Sequence, residues 1–460
     1  MTTRTVAWAL LGLLWFGGTA EAQVGADSLR LTLNEAVSRA VGTSEEVRAA
    51  LAQQNIAESQ VVQTRAGALP QVNANLSYNR TLASIFDGIS LGAPDGGGDV
   101  EIPEDDAPVL PFGRPNTWMA TLSLTQPLYS GGRISTGLAI ASNIRRASAL
   151  DVMEAQADIA LQTKSAYLQA VLAEHLVDIS EEAYALADAQ LQQVELFEQQ
   201  GTASEFEVLS ARVERDNLEP GIVEARNALR LAELNLKRLV NLPADQSLEL
   251  VTPLEPVMAE VDGAALRAAL TDRPAVEALE QVVAAREGAV RVARAARLPS
   301  VGASANFSYQ AFPSGVAPVD AEWMRDWTLG FQVSIPVFTG MRTSGAIEQA
   351  SAELVQAELQ RDQAREGLEL ELEAALGEFE AARTQIVARQ GTVDEALRAL
   401  ELAELRFATG MGTQLEVSNA RLLLEQARVN EAQSLYNYLN ALARIERTAG
   451  VELPVLPADQ

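Results

Sequence analysis

Four stretches of the chain alternate between apolar and polar residues, which is the pattern of a strand with one apolar face. The stretch "LPSVGASANFSYQ" (298–310) shows it most clearly, because Val301, Ala303, Ala305, Phe307 and Tyr309 are separated by polar or small residues. The two-residue period predicts strands over about 70–82, 117–129, 299–312 and 327–338. The segments between these strands are predicted to be mainly helical.

These strands have the composition expected for a membrane. Residues 70–79, 117–129, 299–312 and 327–338 contain no Lys, Arg, Asp or Glu, and Arg80 and Arg325 stand just outside. About ten residues suffice for a tilted strand to cross hydrocarbon, where a Lys or Arg facing lipid costs about 2–4 kcal/mol. A soluble antiparallel sheet alternates in the same way. Its solvent-facing positions usually carry charge, whereas these carry Ser, Thr, Asn and Gln.

Four strands are too few to close a barrel, and an open sheet edge is not tolerated in lipid. The chain is therefore expected to share its barrel with sister subunits. Two copies supply eight strands and three copies supply twelve, and the strand pattern leaves both numbers open.

The sequence also contains an internal repeat. "QPLYSGGR" (126–133) matches "IPVFTGMR" (335–342), and "GTASEFEVLSAR" (201–212) matches "GMGTQLEVSNAR" (410–421), both at an offset of 209 residues. The chain is predicted to consist of two structural repeats joined by a linker and followed by a short tail. Their predicted bounds are 23–243 and 261–453 for the repeats, 244–260 for the linker, 454–460 for the tail and 83–116 for a Gly-, Pro- and Asp-rich loop inserted in the first repeat.

Each repeat is predicted to contain a long helical hairpin. Residues 343–408 lack proline, which predicts one helix of roughly 100 Å. Apolar residues recur in it every seven positions, and such a heptad pattern predicts a coiled coil with left-handed supercoiling. We expect its seam at Leu372, Phe379, Ile386, Val393, Leu400 and Phe407, that of the first repeat at Ala170, Val177, Tyr184 and Leu191, and that of the returning helix at Leu415, Leu422, Val429, Tyr436 and Ala443.

Pro220 falls inside the first returning helix, where it is expected to kink the helix or to force a local break. The helices taken alone favour a coiled-coil tether. The helices and the uncharged strands together favour a membrane assembly.

The N-terminus and the composition restrict the location and the partners. Residues 1–22 combine Arg4, an apolar run and the small residues before Gln23, which predicts a secretory signal peptide; a retained amphipathic anchor is the alternative. The chain has no cysteine, and its net charge of −27 argues against a nucleic-acid partner. No later stretch is apolar enough for a transmembrane helix.

The sequence offers no catalytic or cofactor-binding motif. His175 is the one histidine, and "SGGR" (130–133) lacks the context of a phosphate loop. We therefore predict no enzymatic activity, no cofactor and no metal site. Pro127, Gly131 and Gly132, and likewise Pro336 and Gly340, are expected at the junctions between strands and helices.

The motifs "LTQPLYSGGR" and "VSIPVFTGMR", together with the pair at 201–212 and 410–421, resemble the TolC-like outer-membrane efflux family. The resemblance covers nearly all of the mature chain. It implies a mainly α protein with a membrane β part: a homotrimeric twelve-stranded β-barrel in the outer membrane, continued by a periplasmic α-helical coiled-coil barrel. It also implies a passive exit channel of a tripartite efflux or type I secretion system, which works with a periplasmic adaptor and an inner-membrane pump.

The resemblance further implies that the helix–turn–helix tips form the periplasmic entrance, or gate. Its candidate residues are the acids Glu207 and Glu416, the aromatics Phe197 and Phe407, the tip glycines Gly201 and Gly410, and Asn419, where some members carry a second Asp. Gly412 stands where some members carry Arg, and Phe407 lacks the hydroxyl with which a Tyr would lock the gate. Acids in a first helical turn are also favoured by the helix dipole alone. The alternative function is a soluble periplasmic coiled-coil adaptor or tether.

Overall fold

The computed structural model describes residues 28–83, 115–255, 258–319, 321–389, 391–451 and 453. The predicted signal peptide, the predicted tail 454–460 and nearly all of the predicted loop 83–116 lie outside the described residues. Among the residues that the structure describes, no helix combines the length and the apolarity needed to cross a membrane.

The described chain consists of long helices and one larger sheet. Its first half contains β1 (Leu29–Leu31), α1 (Leu33–Thr43), α2 (Glu45–Ala66), β2 (Gln71–Arg80), β3 (Asn116–Tyr129), α3 (Arg133–Gln199) and α4 (Glu205–Leu239). Its second half contains β4 (Leu248–Leu250), α5 (Gly263–Ala269), a 3₁₀ turn (Leu270–Asp272), α6 (Pro274–Ala295), β5 (Ser300–Ala311), β6 (Trp323–Ser334), α7 (Arg342–Arg389), α8 (Thr392–Ala408) and α9 (Gln414–Ala449).

The larger sheet is antiparallel throughout and has the strand order β2-β3-β5-β6, so β2 and β6 are its edges. Its register aligns apolar residues across all four strands, for example Ala74 with Leu122, Leu122 with Phe307, and Phe307 with Trp327. The opposite face aligns polar residues such as Thr121 with Ser308. The sheet therefore has one continuous apolar face, and Leu329 and Phe331 on it are 73% and 70% exposed.

The position of β6 corrects the sequence-based expectation. The strand begins at Trp323 and ends at Ser334, four residues earlier than the predicted 327–338, and it includes Arg325 and Asp326. Arg325 lies near the beginning of β6 and pairs with Tyr309, whose ring contacts that of Trp323. A long side chain at the edge of the apolar face, close to the end of a strand, can extend its charge towards water. Arg325 within β6 is therefore compatible with an apolar face.

Aromatic side chains gather at the same end of the sheet. Tyr78 and Trp118 lie 5.1 Å apart between ring centroids, and the Tyr78 hydroxyl donates to Asn116 Oδ1 at 2.8 Å. The Trp118 indole N–H donates to the carbonyl of Val316 at 2.8 Å, in the turn between β5 and β6. Tyr and Trp with satisfied polar tips and apolar bodies are typical of a membrane–water boundary.

The heptad seam predicted for the long helices is largely buried. In α3, Ala170, Val177 and Leu191 are buried, and Tyr184 is half-buried. In the second half, Leu372, Phe379, Leu400 and Phe407 are buried against α9, while Ile386 and Val393 are partly buried. The seven-residue spacing therefore predicted correctly which residues of α3, α7 and α8 face the core.

One expectation about helix continuity is wrong. The single helix expected over 343–408 is divided, because α7 ends at Arg389, α8 begins at Thr392, and Gly391 between them has φ of 83°. The apolar spacing from Ile386 to Val393 continues across this interruption and so does not reveal it. At Pro220 one of the two expected outcomes, a local break, is absent, because α4 is one helix that runs through Pro220, which is exposed. The other outcome, a kink, stays a prediction.

The seam expected on the returning helix is wrong near the tip, whereas further along α9 its members Tyr436 and Ala443 do pack in the core. Leu415 and Leu422 of α9 are 68% and 62% exposed, whereas Val417, Leu424 and Tyr438 are buried. Val417 and Leu424 follow Leu415 and Leu422 by two positions, so the buried face near the tip is displaced by two positions from the expected one. The first half of α9 thus carries two apolar stripes, and the one formed by Leu415 and Leu422 is exposed in the described part of the subunit.

Candidate functional site at the hairpin tips

Each hairpin turns at a glycine in the left-handed conformation. Gly201 between α3 and α4 has φ of 76°, and Gly410 between α8 and α9 has φ of 69°. A side chain at either position would be strained, which explains glycine at both tips. The first turn also closes through the amide of Thr202, which donates to the Phe197 carbonyl at 2.9 Å.

The two tips pack against each other. The Phe197 and Phe407 rings lie 5.7 Å apart between centroids and are tilted by 47°. Val194, Val208 and Val417 are buried in the same cluster. The two turns are therefore held together as one apolar unit.

Glu207 is used as a helix cap. Its Oε2 accepts from the backbone N–H of Ser204 at 2.7 Å and from the Ser204 hydroxyl at 2.9 Å, while the Glu207 amide donates to Ser204 Oγ at 3.4 Å. This reciprocal capping box satisfies donors at the start of α4. The local role is consistent with the helix-dipole explanation for this acid.

Glu416 has a cationic partner that the sequence reading missed. Arg406 Nε lies 3.2 Å from Glu416 Oε2, and Arg406 Nη2 donates to the Met411 carbonyl at 3.2 Å. Gly412 makes room for this turn, because a Cβ there would lie 2.9 Å from the Cβ of Arg406. The contact crosses the turn over ten residues, so no helical spacing in the sequence indicated it.

Asn419 is exposed on α9, but its neighbours join the two hairpins. Ser418 Oγ donates to Glu214 Oε1 of α4 at 2.5 Å, and the guanidinium of Arg421 contacts the same carboxylate. Burial lowers the pKa of Arg421, whose side chain is 8% exposed. Sequence reasoning missed this ion pair, although Arg421 closes the matched motif 410–421.

The predicted junction residues lie where the sheet meets the helices. Pro127 stands at a register irregularity near the end of β3, and Gly131, Gly132 and Gly340 have φ of 64°, 83° and 59°. Pro336 follows β6 in an irregular segment. Within the described ranges, no group of three or more His, Cys, Asp or Glu side chains is arranged to hold a metal ion.

Comparison with known proteins supplies the class. The chain shares 24% identity over 333 residues with the outer membrane efflux protein BepC of Brucella suis, covering 70% of this chain and 72% of BepC. It shares 22% identity over 452 residues with the outer membrane protein TolC of Vibrio cholerae, covering 94% and 93%. The crystal structure of the outer membrane protein VceC from Vibrio cholerae superimposes with a TM-score of 0.75 at 19% identity, covering 91% and 96%.

The fold is therefore that of the outer-membrane channel proteins. The family described as outer membrane efflux protein matches residues 36–242 and 265–451, and the chain belongs to this family. The family predicted from the sequence motifs is confirmed, as is the location in the bacterial outer membrane with an extension into the periplasm.

Proposed function

We propose that the protein is a passive exit channel, formed by three copies of the chain, in a tripartite efflux or type I secretion system. The observation that carries the proposal is the four-stranded sheet with a continuous apolar face and two edge strands, β2 and β6. Pairing of β2 with β6 of the next copy leaves no edge in lipid, and three copies give a twelve-stranded barrel. The helices of the three copies then continue the barrel as a tunnel.

The proposal includes an internal two-fold organisation. The order of one helix, two strands and a helical hairpin occurs in both halves, and the family matches both halves separately. We assign residues 23–243 and 261–453 to the two repeats, with 244–260 as the linker. Each hairpin contributes two helical arms, so three copies with two hairpins each supply twelve helical arms to the tunnel wall.

We place the gate at the tips, around Phe197, Phe407, Glu207 and Glu416. A periplasmic adaptor and an inner-membrane pump supply energy and contact this end, and the channel itself carries out no catalysis. The Arg406 contact determines the electrostatics of this mouth, because it partly neutralises Glu416. The mouth is therefore less cation-attracting than a ring of free carboxylates.

The sheet assignment is tested with two neighbouring residues on opposite faces. Leu329→Arg puts a charge on the apolar face, where it costs about 2–4 kcal/mol in lipid, whereas Thr328→Arg puts the same charge on the polar face. We expect only Leu329→Arg to abolish recovery of an oligomer from outer membranes, while Thr328→Arg assembles and lowers cation conductance in planar bilayers. Equal assembly of both variants would reject the barrel.

The electrostatic assignment of the mouth is tested with Arg406→Ala and the double variant Arg406→Ala with Glu416→Gln. Freeing the Glu416 carboxylate should raise cation over anion permeability, and removing its charge should reverse the increase. Reversal potentials in a salt gradient measure both. Identical potentials in the parent and Arg406→Ala would remove Glu416 from the conduction path.

A further inference from the structure

The apolar core is divided into two clusters along the second hairpin. The upper cluster contains Phe379, Ala382 and Tyr438, and the tip cluster contains Leu400 and Leu424. Ile386 packs against the upper cluster and Val393 against the tip cluster. The segment between the two clusters is the place where the second hairpin lacks apolar packing that resists bending. The tip cluster also includes Val194 and Val208 of the first hairpin, so a movement of α8 has to break these contacts.

The same segment contains the helix interruption. Helix α7 ends at Arg389, and Gly391 precedes α8 in the left-handed conformation without a side-chain cap. The Gly391 carbonyl accepts from the Glu395 amide at 3.0 Å, so α8 begins anew. A Cβ at Gly391 would meet nothing within 4 Å, so the backbone conformation and not space requires glycine.

A polar clamp bridges the interruption. Arg389 occupies a seam position where the pattern elsewhere has alanine, such as Ala382 and Ala403. Its Nη1 donates to the Asn430 carbonyl at 2.5 Å and to Ser434 Oγ at 2.6 Å on α9. Ser434 is 1% exposed, so these contacts lie inside the hairpin, where hydrogen bonds to a charged group are strong.

The first half of the chain carries its helix-weakening residues at the equivalent level. At the offset of 209 residues, Pro220 and Gly221 of α4 correspond to Val429 and Asn430. The position equivalent to Gly391 is Glu182 in unbroken α3, which forms an ion pair with Arg428 of α9. The helix that leads to the tip is thus interrupted in the second hairpin, between α7 and α8, and is continuous in the first, where it is α3.

We propose that Gly391 is a hinge and that Arg389 is the residue that positions it, so that α8 and the first half of α9 swing as one tip unit. The clamp is one restraint on the resting arrangement, and its release makes a rotation at Gly391 easier, while the contact of Phe407 with Phe197 restrains the tip separately. Helix α8 extends from the hinge to the tip, so it acts as a lever that converts a small rotation at Gly391 into a larger displacement of the tip. The gating consequence rests on the proposed channel function, whereas the hinge itself does not.

Hydrogen exchange of the full-length protein in detergent tests the hinge. Arg389→Ala restores the alanine of the seam but removes the clamp, and we expect roughly tenfold faster exchange of the amides of 387–389, 391–396 and 430–434. Arg389→Lys retains a donor and should restore part of the protection. Unchanged exchange in Arg389→Ala would overturn the clamp.

A pair of glycine substitutions isolates the hinge residue. Gly391→Ala disfavours the left-handed conformation and should drive α7 and α8 towards one continuous helix, with slower exchange around 391. Gly377→Ala is the matched control, because it lies within α7, also with nothing within 4 Å, and has no positive φ. If both substitutions change exchange around 391 equally, Gly391 is not a hinge.

Single-channel recording then tests the link to gating. We expect Arg389→Ala to raise, and Gly391→Ala to lower, the open fraction in planar bilayers, with Gly377→Ala unchanged. Altered exchange with unaltered open fraction would overturn the gating role. If the parent protein forms no channel, the proposed function fails, while the exchange data still decide whether the hinge exists.

Discussion

Phe197 of the first hairpin and Phe407 of the second lie with ring centroids 5.7 Å apart, although they are distant in the chain. The pair joins the tips of two coiled coils within one subunit. Any outward movement of one tip alone must break this contact. The stability of the pair therefore contributes to the resistance of the tip to opening.

Phe407 is 8% exposed in the tip cluster. We therefore predict that Phe407→Ala lowers the free energy of unfolding by about 3 kcal/mol, as truncation of a buried aromatic does. Phe206→Ala is the matched control, since Phe206 is also at the tip but 77% exposed. A double-mutant cycle with Phe197→Ala should give a coupling of about 1 kcal/mol in denaturant unfolding. Zero coupling would show that the rings do not stabilise each other.

The ion pair between Glu214 and Arg421 gives a second prediction. Glu214→Gln removes the charge that contacts the buried guanidinium, and we expect a loss of about 3 kcal/mol of unfolding free energy. In contrast, Glu181→Gln disrupts the exposed pair with Arg226. That loss should be several-fold smaller, because exposed ion pairs contribute little to stability. Denaturant unfolding in detergent compares the two variants, and equal losses would contradict the importance of burial.

The sequence predicted most of the elements because burial imposes periodicity. Val177, Leu191, Leu372 and Phe379 were placed in the core correctly, since a seven-residue spacing matches one helix face. The same rule failed on α9 near the tip, because Leu415 and Leu422 stand two positions before the buried Val417 and Leu424 with the same spacing. Periodicity does not say which stripe faces the same subunit.

The other errors also have physical causes. Arg325 was placed outside β6 because charge was taken to mark the strand end, whereas a rim position accommodates an arginine. The contact of Arg406 with Glu416 depends on turn geometry, which residue spacing does not encode. The interruption at Gly391 left the apolar spacing intact. The glycine itself was the available signal.

Met341 provides a prediction about backbone strain. It has φ of 67° at the junction where the other half of the chain has Gly132 with φ of 83°. Met341→Gly relieves the left-handed strain but adds unfolded-state entropy, so we expect a net stabilisation of about 0.5–1 kcal/mol. Met411→Gly, at an equally exposed methionine without positive φ, should instead be neutral or destabilising. Thermal unfolding followed by circular dichroism distinguishes them.

Glu174 on α3 provides a prediction about pH. Desolvation raises its pKa, and the carboxylates of Asp178 and Glu233 raise it further, while His175 opposes them. A raised acid pKa means that the folded state disfavours the ionised form, so this group lowers stability once pH rises above the unfolded-state pKa. Glu174→Gln should therefore raise the melting temperature at pH 7 by an amount equivalent to about 0.3 kcal/mol, as for like charges one helical turn apart.

The rise in melting temperature caused by Glu174→Gln should become smaller as pH falls towards 4 and Glu174 becomes protonated in both the folded and the unfolded state.

Glu35 provides a prediction of opposite sign, because hydrogen bonds from the Thr32 backbone and side chain lower its pKa. The stabilisation by ionised Glu35 is present above the unfolded-state pKa and is lost as pH falls through the folded-state pKa. Glu35→Gln should therefore lower the melting temperature at pH 7 and have no effect at acidic pH. Melting curves at several pH values for both variants measure the two trends, and parallel trends would show that the charges of Glu174 and Glu35 do not act through their local contacts.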